Sequence, residues 1–486
     1  MSGLQCPRLL WFTNKKQLPE ISISDEHKFS QGHLFEECVK KLYPKRIDLN
    51  NLDFKDNLDK TQKALEEKKP IFEAGFMIDG LFVRSDLIKP NRNKWDLYEI
   101  KSTTQSKSQH IPDLAFQKYV IEKTGLKINK CYVIYLNNEY VKRGRLSFKK
   151  LVKNEEVTKK VNEYDINEEI INKFKRIMAM PKYYDIHISQ DCNRPYECPL
   201  KKQCWGTLPE NNVLQLTNWR VYWKLFEEGI TKLEDVPKDT KLNEKEQIII
   251  RALKDNPQIN KTEIKKFLDK LNYPLYHFDF ETFDTAIPIF TKTKPYQKIP
   301  FQYSLHIEQK NGKTEHKEFL SNTKKDPRPK LLKQMKQDLE GKGDIIVFNK
   351  SFEISVMRQL AEDFPENKEW IYQALGRITD LAEPFQQFYY YNKKQKGSYS
   401  IKKVLPALTG KSYSELEINN GADASVQYFY SHISPKLNNK KEIRKDLLKY
   451  CCLDTEGMVM IINKLKINVN DIKRHRNQFK HLKSSN

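Results

Sequence analysis

The period of the apolar positions changes along the chain. A helical spacing runs from about Gln31 to Tyr43. Strand-like alternation follows over Ile71–Ile88 and Trp95–Ser102, then a helix over Ile111–Thr124 and a strand over Lys130–Leu136. The segment IFEAGFMIDGLFVRSDLIKP predicts a β-hairpin turning at Asp79-Gly80, a dipeptide that tolerates the left-handed backbone of such a turn. Residues 1–207 therefore read as one mixed α/β domain, closing on a cysteine cluster at 192–204. Residues 208–270 are charged and mostly helical in pattern, and predict a helical connector.

From residue 271 to about 468 a second α/β domain is expected. Its first strand, LYHFDFETF, alternates: Leu275, His277, Asp279 and Glu281 on one face, Tyr276, Phe278 and Phe280 on the other. A second strand, DIIVF, leads into a helix with Ile354, Met357, Leu360 and Ala361 as its apolar stripe and Glu353 on its first turn. The late segment KKEIRKDLLKYCCLDTEGMVMIINKL reads as a helix on which Tyr450 and Asp454, four apart, share a face. Residues 469–486 form a basic tail, and no repeat of fixed period is present.

Composition narrows the class. A chain of 486 residues is long enough for two or three domains, and 11% aromatic residues argue against disorder. Lys plus Arg is 86 against 64 for Asp plus Glu, a net charge of +22. That excess favours a polyanionic partner such as nucleic acid, although Lys-rich chains are often basic without binding one. No run of eighteen apolar residues is present, so no membrane span is expected. The first residues lack a signal peptide's apolar centre, so the expected location is the cytoplasm, where thiols stay reduced. The eight cysteines are then free thiols or metal ligands rather than a disulfide framework.

Asp279 and Glu281 project side by side, and such a pair repels itself until a divalent cation binds. The order Asp-x-Glu on a strand, Asn349-x-x-x-Glu353 after a strand, and Tyr450-x-x-x-Asp454 on a late helix resembles the tyrosine subtype of the DEDD exonucleases, within the ribonuclease H-like fold. The resemblance implies that Asp279, Glu281, Glu353 and Asp454 hold Mg²⁺ or Mn²⁺ and that Tyr450 orients the attacking water. This chain has Glu353 where the family usually has Asp; Asp380 is the fallback ligand.

A second carboxylate set lies upstream. Asp86 falls on the second strand of the predicted hairpin, Glu99 and Lys101 lie two apart on the next strand, and Asp113 and Gln117 follow on a helix. This arrangement resembles the RecB-like branch of the PD-(D/E)xK (restriction-endonuclease-like) nucleases. It implies Asp86 and Glu99 as metal ligands and Lys101 as the residue that polarises water, with Gln117 in support. His33 and Glu36 are candidates for the family's upstream helical residue. Tyr119 is displaced from the position that the family's Gln-x-x-x-Tyr helix would give it.

Cys192, Cys198 and Cys204 are each separated by five residues, wider than usual zinc spacing. With Cys6 near the start, they resemble the iron–sulfur subset of the RecB-like family, which implies a [4Fe–4S] cluster on these four thiolates. Zinc is the alternative, and unligated buried cysteines the plainer reading. Cys38, Cys131, Cys451 and Cys452 read as small core residues. As a whole the chain resembles bacterial fusions of a RecB-like iron–sulfur nuclease with a DEDD-type 3′–5′ exonuclease. The function expected is hydrolysis of DNA at two metal-dependent sites. A ribonuclease, or a nucleic-acid-binding protein with one or both sites silent, is the alternative.

Overall fold

The computed structural model describes residues 2–470. The expected basic tail therefore lies, from residue 471 onward, outside the described residues. The protein is mixed α/β and divides into two compact units. The first holds the residues up to Thr207 together with Asp284–Gln297; the second holds Leu208–Phe283 and the residues from Lys298 onward.

The first unit is built on a six-stranded sheet in the order β1 (Ile47–Asp48), β2 (Ile71–Ile78), β3 (Leu81–Asn91), β4 (Lys94–Ile100), β5 (Ile128–Leu136) and β6 (Val152–Glu156). The hairpin turns where expected: Asp79 and Gly80 both adopt positive φ, 51° and 76°. β4 and β5 run parallel, so the chain must cross over between them, and helix Ile111–Lys123 makes the crossing. That helix buries Leu114, Val120 and Ile121 against Ile71, Ile88 and Leu97 of the sheet. A second cluster joins Phe72, Leu87 and Tyr98 to Phe35, Cys38 and Val39 of helix Ile23–Lys40. This helix starts eight residues before the apolar spacing indicates. Its first turns are held by the Ser22 hydroxyl, which accepts the Asp25 N–H at 3.1 Å.

The region 208–270 is not a free-standing connector. Its apolar residues, on short helices, cannot close a core alone. Val213, Leu216, Leu225 and Ile249 bury instead against Phe388 and Tyr391 of the second unit. There β7 (Gln258–Ile259) pairs antiparallel with the later strand Tyr390–Tyr391.

The main sheet of the second unit contains β8 (Leu275–Phe283), β9 (Ile299–Glu308), β10 (Thr314–Leu320), β11 (Ile345–Val347) and β12 (Ile378–Asp380), in the order β10-β9-β8-β11-β12. The first three are antiparallel, and the last two add parallel to β8. Alternation along β8 sorts its side chains. Tyr276, Phe278 and Phe280 enter a core with Leu331 and Met335 of helix Arg328–Asp338 and Met357 and Leu360 of helix Ser351–Asp363. The long helix Lys440–Asn470 is tied to β9 by the Gln302 amide, which donates to the Leu447 carbonyl at 2.8 Å, and by a 2.7 Å bond between the Ser304 and Thr455 hydroxyls. Among the described residues, no helix is long and apolar enough to cross a membrane.

Candidate functional site

Asp279 and Glu281 of β8 meet Asp454 of the long helix. One carboxylate oxygen from each lies within 4.8 Å of the others. Glu281 and Asp454 are buried, and Tyr450, one turn before Asp454, is buried with them. Glu353 stands outside this close group, but it is only 2% exposed and its Oε2 has no hydrogen-bond partner. The turn before it depends on Asn349 at φ 73°, a conformation Asn tolerates. The Asp380 carboxylate accepts the N–H groups of Asn349, Lys350 and Ala382 at 2.9, 3.2 and 2.9 Å, so the fallback ligand is engaged in holding that turn.

Burial, then mutual repulsion, sets the electrostatics. The Asp279 carboxyl is pushed well above the usual range by burial and then by Asp454, Glu281 and Glu353. Glu281 moves the same way, by burial and then Asp454. Glu353 rises to about 8, chiefly by burial, with Asp380 and Asp454 adding repulsion. Asp454 rises to about 6, again by burial, opposed by a hydrogen bond from Tyr413 and by the charge of Lys402. The Tyr450 phenol is pushed far above its usual value by burial and the carboxylates, so it stays protonated.

Lys402 and Tyr413 are absent from the sequence reading. Lys402 Nζ lies 5.0 Å from the centre of the Tyr450 ring and 5.5 Å from that of Tyr413. Burial pushes the Lys402 pKa down, and the charges of Asp454, Glu281 and Asp279 oppose that shift. Tyr413 donates to Asp454 Oδ1 at 2.6 Å. Neither belongs to a motif, and no local spacing marks them. Four carboxylates against one lysine, with a buried carboxylate oxygen left unbonded, fit a divalent-cation site.

In the first unit, Glu99 and Lys101 come together with Asp113 and Gln117. Lys101 Nζ lies 2.5 Å from Glu99 Oε1 and 3.4 Å from Asp113 Oδ2. The Gln117 amide donates to Glu99 Oε2 at 2.6 Å. Asp86 accepts the Ile100 N–H at 2.6 Å, which ties β3 to the end of β4. Burial first, then the neighbouring acid, raises Asp86 and Glu99 above their usual range, while the three carboxylates hold Lys101 firmly protonated.

A further acid joins them. The β2–β3 register runs Phe72–Leu87 and then Ala74–Ser85, leaving Glu73 and Asp86 as the unmatched rung. Glu73 adopts φ 58°, and burial followed by Glu36 pushes it up to about 7. Its neighbours in sequence, Phe72 and Ala74, gave no hint of this kink. Glu36 is thus near the set but is itself paired with the buried Lys40 at 2.9 Å. His33 is exposed and lines a groove with Ile21, Phe29 and Leu34. Tyr119 packs on the apolar core.

Cys6 is brought to the triad. Gln5 donates to the carbonyls of Asp191 and Tyr196 at 2.7 and 2.8 Å, and the Trp11 indole donates to Met180 at 2.8 Å. All four thiols are free, and Cys6, Cys192 and Cys204 each act electrostatically on Cys198. Sulfurs on one zinc stand about 3.8 Å apart. No three of these cysteines have their sulfurs all within 4.8 Å of one another. Cys38, Cys131 and Cys451 are buried core residues as expected, whereas Cys452 is half-buried.

Residues 276–400 match a domain of unknown function (DUF2779). The chain is 28% identical over 221 residues to the uncharacterized protein MG366 of Mycoplasma genitalium, covering 41% of this chain and 33% of that protein. It is 24% identical over 220 residues to the MG366 homolog of Mycoplasma pneumoniae, covering 41% and 33%. It is 27% identical over 221 residues to the uncharacterized protein UU173 of Ureaplasma parvum, covering 40% and 31%. The matched region thus spans about a third of the length of these relatives. No solved structure matches the chain.

Proposed function

We propose that the protein is a metal-dependent nuclease acting on DNA, with its principal site in the second unit. The observation that carries this reading is the convergence of Asp279, Glu281 and Asp454 within 4.8 Å, beside the unbonded Glu353 Oε2. A central first strand bearing two of these acids, with later strands added parallel beside it, supports a ribonuclease H-like fold. Bound Mg²⁺ or Mn²⁺ would neutralise the carboxylates and supply Lewis acidity toward a phosphodiester. Asp279, Glu281, Asp454 and Glu353 would hold the cations. Tyr450, kept as a phenol, orients water by hydrogen bonding and does not act as a base. Lys402 adds a positive charge beside the phosphate's approach.

The first unit supports a PD-(D/E)xK-like site in which Asp86 and Glu99 would take a cation and Lys101 would polarise water. The four thiols would carry a [4Fe–4S] cluster. A second reading has one specific observation behind it. Both Glu99 oxygens already have partners, Lys101 and Gln117, so this unit would bind nucleic acid without cutting it. The test is an assay of the purified chain on end-labelled single-stranded DNA, duplex DNA and RNA with Mn²⁺. Asp279→Ala should abolish 3′-end shortening when Lys101→Ala also disables the first unit. Undiminished shortening in that double variant overturns the proposal.

A further inference from the structure

A second cluster of ligating side chains lies at the β9–β10 edge of the second unit, and the acidic site does not use it. His306 of β9 pairs directly with His316 of β10, so both rings stand on one face. They stack with centroids 4.3 Å apart. Cys452 reaches the same place from the long helix: one ligand atom each from His306, His316 and Cys452 lies within 4.8 Å of the others. Cys452 is two residues from Asp454, about 200° around the helix. The carboxylates that act on its thiol are Glu456 and Glu318, not the Asp279 set.

Hydrogen bonds hold both rings. Ser304 Oγ bonds His316 Nε2 at 2.9 Å and Thr455 Oγ1 at 2.7 Å, and Thr455 Oγ1 bonds His306 Nδ1 at 2.8 Å. His306 Nε2 and His316 Nδ1 lie outside that network. Hydrogen-bonding one ring nitrogen so that the other faces a metal is how ligating histidines are held. The His306 ring is also kept neutral: burial, then the neighbouring His316 and His277 rings, pushes its pKa down to about 4.

We propose that His306, His316 and Cys452 bind one zinc ion, with water or the exposed Glu318 in the fourth position. Two imidazoles and a thiolate suit zinc, whose ligands stand roughly 3.3–3.8 Å apart, and the two rings must swing out of their stack for their in-plane nitrogens to converge on the ion. Binding displaces the thiol proton to solvent and leaves a Zn–S bond. The ion then clamps the long helix, which carries Tyr450 and Asp454, to the sheet edge. The proposal does not rest on the nuclease reading and stands if that reading fails.

The test uses the full chain, stripped with chelator and titrated with Zn²⁺ against a chromophoric indicator. Because the Cys6–Cys204 thiols are a possible second zinc site, wild type is compared with Cys452→Ser and His316→Ala. Each variant should bind one zinc fewer, or bind that equivalent roughly 100-fold more weakly or worse. With Co²⁺, the wild type minus Cys452→Ser difference spectrum should show thiolate charge transfer and tetrahedral visible bands. His316 is exposed, so His316→Ala keeps the test valid if Cys452→Ser misfolds. Equal zinc binding by wild type and His316→Ala, or a flat cobalt difference spectrum from a folded Cys452→Ser protein, overturns the site.

Discussion

Tyr413 donates its hydroxyl hydrogen to Asp454 Oδ1 across 2.6 Å, while Asp454 shares a 4.8 Å cluster with Asp279 and Glu281. The bond opposes the burial that raises the Asp454 pKa, so it favours the ionised carboxylate where ionisation is costly. Tyr413→Phe should therefore weaken Mn²⁺ binding. Loss of a hydrogen bond to a charged group is worth about 1.5–3 kcal/mol, or roughly a 10- to 100-fold loss of affinity. Isothermal titration in a Glu99→Ala background measures it; unchanged affinity would show that the phenol does not steer the carboxylate.

In the first unit the proposed ligands can be tested apart from the lysine. Lys101→Ala leaves Asp86 and Glu99 in place and removes the cation that now neutralises Glu99. Metal affinity of this unit should hold or rise while cleavage disappears. Glu99→Ala should lose both. In an Asp279→Ala background, cleavage by both variants at the wild-type rate would reduce the strand to an ion pair.

The raised carboxylates predict a pH dependence of stability. Asp454 and Glu353 hold protons up to about pH 6 and about pH 8 in the folded chain, but only near pH 4 when unfolded. Between those limits the folded state binds more protons, so stability without metal falls as pH rises from about 4 to about 8. A cation replaces those protons. Saturating Mn²⁺ should therefore raise the melting temperature more near pH 8 than near pH 5, and Asp279→Asn should flatten the difference. A metal effect independent of pH would argue against cations on these carboxylates.

Cys6→Ser tests the cluster. Joining Cys6 to the triad closes a long loop, an entropic cost that metal–thiolate bonds offset. Anaerobically purified protein should be brown, absorb near 400 nm and hold about four irons per chain. The variant should lose iron and melt earlier in the first unit, while Asp279-dependent activity survives. A colourless protein with one zinc equivalent lost in Cys6→Ser would replace the cluster by zinc.

The sequence by itself determined what covalent geometry repeats locally. A strand alternates every two residues, so Asp279 and Glu281 had to share a face opposite Phe278 and Phe280. A helix turns every 3.6 residues, which put Tyr450 with Asp454. Asp79-Gly80 announced its turn because few residues accept positive φ. Only the tertiary structure decided what depends on register and long-range packing. The β2–β3 register brought Glu73 beside Asp86, and the β9–β10 register set His306 opposite His316. Packing of distant segments supplied Lys402 and Tyr413 to the carboxylates and drew 208–270 onto Phe388 and Tyr391. Such contacts join residues far apart in the chain, and no local period encodes which of them will meet.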